Sequence, residues 1–214
     1  MKITKRLLLA VIMLAITVVI PFILPQNHML FGKMLQPMHT PVLLSAYIVG
    51  APLAAIIGAV APIIRHFWVG MPTWEIAIPM CFELATYGLV TGIVYKISSH
   101  RGRSIVKSLL AGMLAGRVVW GIVNVVMHNY TFNMIMAEGF GNAFPGIVLQ
   151  MFLIPLIIYG LKKSTKSNNS QKTGSTYVCT ACLFYCVMWK FLYLFGIVLL
   201  DKFEFYEGVW SYEK

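Results

Sequence analysis

Two ionisable side chains fall where a charge is costly. Glu83 lies inside the apolar run 75–96, and Arg117 lies inside the apolar run 105–127. Counted from the inner end of each run at about 1.5 Å per residue, Glu83 sits roughly 20 Å deep and Arg117 roughly 15 Å. Insertion scales place about 2.5–3.5 kcal/mol on each such group at the bilayer centre, so both are expected to face a bundle interior and to find a partner. An arginine side chain spans the offset between them. Such a pair either fixes helix register or contacts a bound molecule, and residue types leave both readings open. The inner halves of the same runs carry Gly88-x-x-x-Gly92 and Gly112-x-x-x-Gly116. That spacing predicts close backbone approach.

Arg65 ends the apolar stretch 42–65. It reads either as an interfacial anchor that snorkels to water or as a guanidinium able to fork a carboxylate. His39 opens the same stretch, inside Pro37-Met-His-Thr-Pro41. A break at Gly50-Ala51-Pro52 would fold the stretch into a hairpin and bring His39 and Arg65 to one membrane face. Trp68, Trp74 and Tyr130 are then placed to wall off water around that mouth. Asn124, Asn142 and Gln150 are neutral hydrogen-bonding groups that bridge helices or line a site. His28, His39, His66 and His128 map to outer loops with no i, i+4 pair, which favours isolated polar or substrate-binding histidines over metal or haem ligands.

Cys81, Cys179, Cys182 and Cys186 all lie in apolar segments. Cys179-Thr-Ala-Cys182 has redox or metal spacing but no second pair, so the reading is membrane-buried thiols. No G-x-x-x-x-G-K-[ST], H-E-x-x-H or G-x-S-x-G occurs. The sequence therefore calls for no metal, no cofactor and no nucleotide bound by the first of these motifs.

The elements that must position these residues are helices. Of 214 residues, 59% are apolar and 11% charged, against roughly 25% charged in a soluble domain. The net charge of +10 is spread over basic clusters between apolar runs, which is the positive-inside pattern rather than a nucleic-acid footprint. The reading is an all-α membrane protein with a six-transmembrane-helix bundle. Helix 1 covers about 7–24 and a short helix 2–3 hairpin covers 42–49 and 53–65. Three longer helices follow at 75–96, 105–127 and 140–161. Splitting 42–65 places the clusters at Lys2–Arg6, Lys96–Lys107 and Lys162–Lys163 on one side, with the N-terminus cytoplasmic. Residues 1–163 form the membrane domain, 164–176 a flexible polar linker, and 177–214 a candidate seventh helix and acidic tail.

Seven segments in order carry a resemblance: Pro37-Met-His-Thr-Pro-Val-Leu-Leu, Gly50-Ala-Pro52, Pro62-Ile-Ile-Arg65, Gly70-Met-Pro72, Phe82-Glu-Leu-Ala-Thr-Tyr-Gly88, Gly116-Arg-Val-Val-Trp-Gly121 and Phe144-Pro-Gly-Ile-Val-Leu-Gln150. They resemble the substrate-specificity (S) components of energy-coupling factor (ECF) vitamin transporters, the pantothenate type above all. The resemblance implies a binding subunit in the bacterial plasma membrane that docks on a transmembrane coupling protein and two cytoplasmic ATPases. It also implies a small-vitamin substrate, for which His39, Arg65, Trp68, Glu83, Arg117, Asn124 and Asn142 are the expected contacts. The alternatives are a membrane-embedded enzyme using Glu83 or His39 as acid or base, an S component for folate or a hydroxymethylpyrimidine, and an assembly subunit without a ligand.

Overall fold

The computed structural model describes residues 3–23, 36–98, 102–141 and 143–167, and these are almost wholly helical. Helix α1 is Ile3–Ile23, α2 is His39–Ile48, α3 is Ala51–Val69, α4 is Trp74–Ile97 and α5 is Gly102–His128. A single turn, α6 (Phe132–Met134), runs into a π-helical stretch, Ile135–Gly141, and α7 is Phe144–Ser167. No strand occurs among the described residues.

Among the described residues, five helices are long and apolar enough to cross a membrane: α1, α3, α4, α5 and α7. The predicted hairpin is there, but its arms are unequal. The first arm, α2, has ten residues, about 15 Å at 1.5 Å per residue, which is half a crossing. The second arm, α3, has nineteen and is not the short helix the sequence suggested. The break explains the first part of this. Gly50 takes a left-handed φ of 97° and Pro52 falls in the first turn of α3, where its missing N–H removes no helical bond. The far end explains the second. Arg65 does not end the helix, which continues until Gly70, at φ 73°, donates its N–H to the His66 carbonyl.

Helix α4 packs most extensively against α3 and α5. The glycines do this differently from the prediction. Gly88 and Gly92 of α4 lie on the backbone of α3 at Ala54 and Ala51, and Gly58 of α3 lies on Leu84 of α4. On α5, Gly112 and Gly116 receive side chains of α4: Thr91 and the ring of Tyr87. The two G-x-x-x-G faces therefore serve different neighbours. The α4 face admits a backbone, and the α5 face admits an aromatic ring. Val118, Ile122 and Val126 form an exposed apolar stripe along α5, as do Phe152 and Leu156 on α7, at helical spacing suited to lipid.

The chain divides into two compact units, 1–159 and 160–214. Of the second unit only 160–167, the end of α7, is described, and it carries the helix into the segment read as a linker. The candidate seventh helix and the acidic tail lie outside the described residues.

Candidate functional site

Glu83 is the hub. It projects from α4 with 2% exposure and gathers groups from three helices and the segment before α2. Tyr87, one turn further along α4, donates its hydroxyl to Glu83 Oε1 at 2.8 Å. Arg117 Nη1 of α5 stands 3.2 Å from the same oxygen. His39 Nε2, at the first residue of α2, stands 3.6 Å from Oε2. The His39 ring also meets the Tyr87 ring edge-on, with centroids 5.4 Å apart. Arg117 Nη2 donates to Gln36 Oε1 at 2.6 Å. Gln36 accepts the His39 N–H at its backbone carbonyl and adopts a left-handed φ of 45°.

Local sequence produces this meeting. The spacing of four puts Glu83 and Tyr87 on one face of α4. Gly116 leaves room for the Tyr87 ring on α5, so the next residue, Arg117, reaches the carboxylate. Helix α2 is held at its other end as well. Tyr47 donates to the Ile105 carbonyl at 3.1 Å and lies 2.8 Å from Ser108 Oγ. The half-length helix is thereby tied to α4 at one end and to α5 at the other.

The expected Glu83–Arg117 pair is present. The expected mouth formed by His39 and Arg65 is not. Counted from the Gly50 turn, His39 rises roughly 15 Å and Arg65 roughly 22 Å. The reason is that α2 begins at His39 rather than at residue 42, which carries the imidazole into the bundle at the level of Glu83. Arg65 is buried at 8% exposure and donates from Nε to the Met71 carbonyl at 3.2 Å. Beside it, His66 Nδ1 lies 2.8 Å from the Pro72 carbonyl, and its ring meets the Trp74 ring at a tilt of 43°, with centroids 4.2 Å apart. Trp68 is 68% exposed. Asn124 is buried, but its amide donates to Trp120 O one turn back, within its own helix. Asn142 lies outside the described residues.

Gln36 and Tyr87 were missed by sequence reasoning. Tyr87 was findable from its spacing to Glu83. Gln36 carried no signal, because its role depends on a backbone turn. Gln150 of α7 is 1% exposed, with neither amide atom hydrogen-bonded. Near the far end of α5, His128 Nε2 meets the Glu75 carbonyl at 3.0 Å. The Tyr130 phenol close by is pushed up from its usual range, first by partial burial and then by Glu138.

Membrane-length helices that enclose an ionic cluster among the described residues are those of a membrane protein with a functional site between its helices. The family model for the substrate-specific component of ECF transporters matches residues 5–158, and the chain belongs to that family. It is therefore a membrane transporter subunit, not an enzyme, whose family works with a small-molecule substrate and an ECF module. No curated protein and no solved structure matches it.

Proposed function

We propose that this chain captures a small anionic vitamin, with pantothenate the first candidate. It does so as the plasma-membrane binding subunit served by a transmembrane coupling protein and two cytoplasmic ATPases, and its N-terminus is cytoplasmic. One observation carries the choice of an anion. Two guanidiniums are buried among the described residues, Arg65 and Arg117, and Arg117 faces Glu83. Arg65 is a guanidinium held in the protein toward the Met71–Trp74 end of the bundle, where its Nε donates to the Met71 carbonyl, and a guanidinium so placed favours a carboxylate as its ligand. Hydrogen bonds to a charged group contribute about 1.5–3 kcal/mol each. The neutral polar groups of the deeper cluster suit hydroxyl or amide functions, which pantothenate also carries.

Titration calorimetry of the purified chain tests this. Pantothenate should bind more tightly than pantothenol, its uncharged alcohol, and affinity should fall in the order wild type, Arg65→Lys, Arg65→Ala. Equal binding of acid and alcohol, or an unchanged Arg65→Ala protein, would overturn the anion site. Native mass spectrometry of gently purified protein should identify a retained molecule and would separate pantothenate from folate or a hydroxymethylpyrimidine.

A further inference from the structure

We propose that the Nη2 edge of Arg117 is a subsite for an uncharged oxygen acceptor of the ligand, an amide carbonyl or a hydroxyl, and that the Gln36 carboxamide is an internal competitor for it. The inference rests on the anionic-vitamin reading for the rest of the ligand, but not for its own test.

The chemistry comes from how Arg117 is used. Its Nη1 faces Glu83 at 3.2 Å. Its Nη2 donates to Gln36 Oε1 at 2.6 Å. Its Nε is buried without a hydrogen-bond partner. The residue as a whole is 4% exposed. An arginine presents its donors in a rigid fork, so Nη1 is committed to the carboxylate while Nη2 points to a neutral acceptor.

Charge decides what else can sit there. Glu83 already occupies one side of the guanidinium, with Tyr87 on the same carboxylate oxygen and His39 facing the other. Helix α1 from Leu7 to Ile23 and helix α3 from Ala51 to Ile64 carry no ionisable side chain. A ligand carboxylate at Nη2 would crowd a second carboxylate onto the guanidinium that Glu83 already faces, and like charges so close repel strongly in a low-dielectric interior. A carbonyl or hydroxyl oxygen adds no net charge and satisfies the same donor. Gln36 supplies such an oxygen, and the carboxamide is chemically the same acceptor as a ligand amide.

Gln36 is also suited to leave. It is only partly buried and lies outside any helix. Its φ of 45° is a left-handed conformation that a residue with a side chain adopts at some cost. The Glu83–Arg117 pair does not depend on it, because Nη1 and Nη2 are separate donors. A ligand oxygen that takes its place exchanges one neutral acceptor for another, and removing the competitor raises apparent affinity by the fraction of protein it had blocked.

The test is Gln36→Ala in the full chain, read two ways. Phenylglyoxal labelling followed by mass spectrometry measures how fast each arginine reacts. Arg117 should label about fivefold faster or more in the variant, while Arg65 keeps its wild-type rate, since loss of the competitor uncovers one guanidinium only. Calorimetry should then show about three- to tenfold tighter binding of both pantothenate and pantothenol, because the acceptor is in the part they share. Unchanged Arg117 labelling, or faster labelling of both arginines together, overturns the inference. So does weaker binding of both compounds, which would make Gln36 a ligand contact. A gain for pantothenate alone overturns it too, by placing the carboxylate at Arg117. If neither compound binds either protein, the pantothenate reading falls, and the labelling ratio still decides the role of Gln36.

Discussion

Helix α4 carries two polar regions, one at Glu83 and one at its first residue, Trp74, roughly 14 Å apart along the axis. They are built on opposite rules. At Glu83 the groups are buried, few and mutually specified. The carboxylate accepts Tyr87 and faces Arg117 and His39, each at a defined oxygen. At Trp74 the groups are rings and backbone carbonyls, with Phe67 75% and Trp74 44% exposed. Depth accounts for the difference. Without water, an ionised group must find its partners in the protein, whereas an interfacial ring can exchange protein for lipid or water. The comparison predicts intolerance of change at Glu83 and tolerance at Trp74.

The largest effect should come from halving the deep pair. Glu83→Ala leaves Arg117 buried with its carboxylate gone, and Arg117→Ala does the converse. Each should destabilise by about 3–5 kcal/mol, much of it the penalty of an uncompensated buried charge. The double variant should lose clearly less than the sum, since it strands no charge. Denaturant unfolding in detergent measures all three. Additive losses would mean that the two residues act separately and that the hub description is wrong.

A smaller effect is expected from the packing that delivers Arg117. A methyl at Gly116 would collide with the Tyr87 ring. The ring must move, and its hydrogen bond to Glu83 moves with it. Gly116→Ala should cost about 1–3 kcal/mol, the usual range for overpacking. Gly160→Ala is the control, because nothing lies within 4 Å of its added methyl. It should be neutral or stabilise by up to about 1 kcal/mol through helix propensity. Equal outcomes at the two glycines would remove Gly116 from any role in positioning the pair.

This contrast also explains what could be read from the sequence. Glu83 and Arg117 were legible because a charge in an apolar run has one affordable placement, inward and paired. The break at Gly50-Pro52 was legible because proline acts through local backbone chemistry. Which neighbour a glycine face meets was not legible. Gly88 and Gly112 have identical spacing signals, yet one lies on a backbone and the other under Thr91. The position of His39 differs from the expectation because helix α2 starts three residues before the expected Val42. The unequal hairpin arms are not legible either, because the charge of Arg65 marks the end of an apolar run but not of the helix, whose ending is set by Gly70. Gln36 shows the limit most clearly, since a glutamine outside any helix gives no periodicity to read.

The smallest effect belongs at the rim. Phe67 meets His66 and Trp74 edge-on, with centroids 5.7 and 5.5 Å away. Such pairs contribute about 0.5–1.5 kcal/mol when buried. Phe67 is mostly exposed, so its share lies at the bottom of that range, and Phe67→Ala should change unfolding stability by about 0.5 kcal/mol. His66→Ala should cost somewhat more, about 1 kcal/mol, because it also removes the contact to the Pro72 carbonyl. Neither variant alters the charge at Arg65, whose Nε is held by Met71 O, so pantothenate affinity should stay within about twofold of wild type in calorimetry. The same titration ranks the two regions directly: Glu83→Ala should abolish a ligand response that Phe67→Ala leaves intact. A loss above about 2 kcal/mol for Phe67→Ala would show that the rim is specified as tightly as the ionic layer, and the depth rule drawn from this helix would then fail.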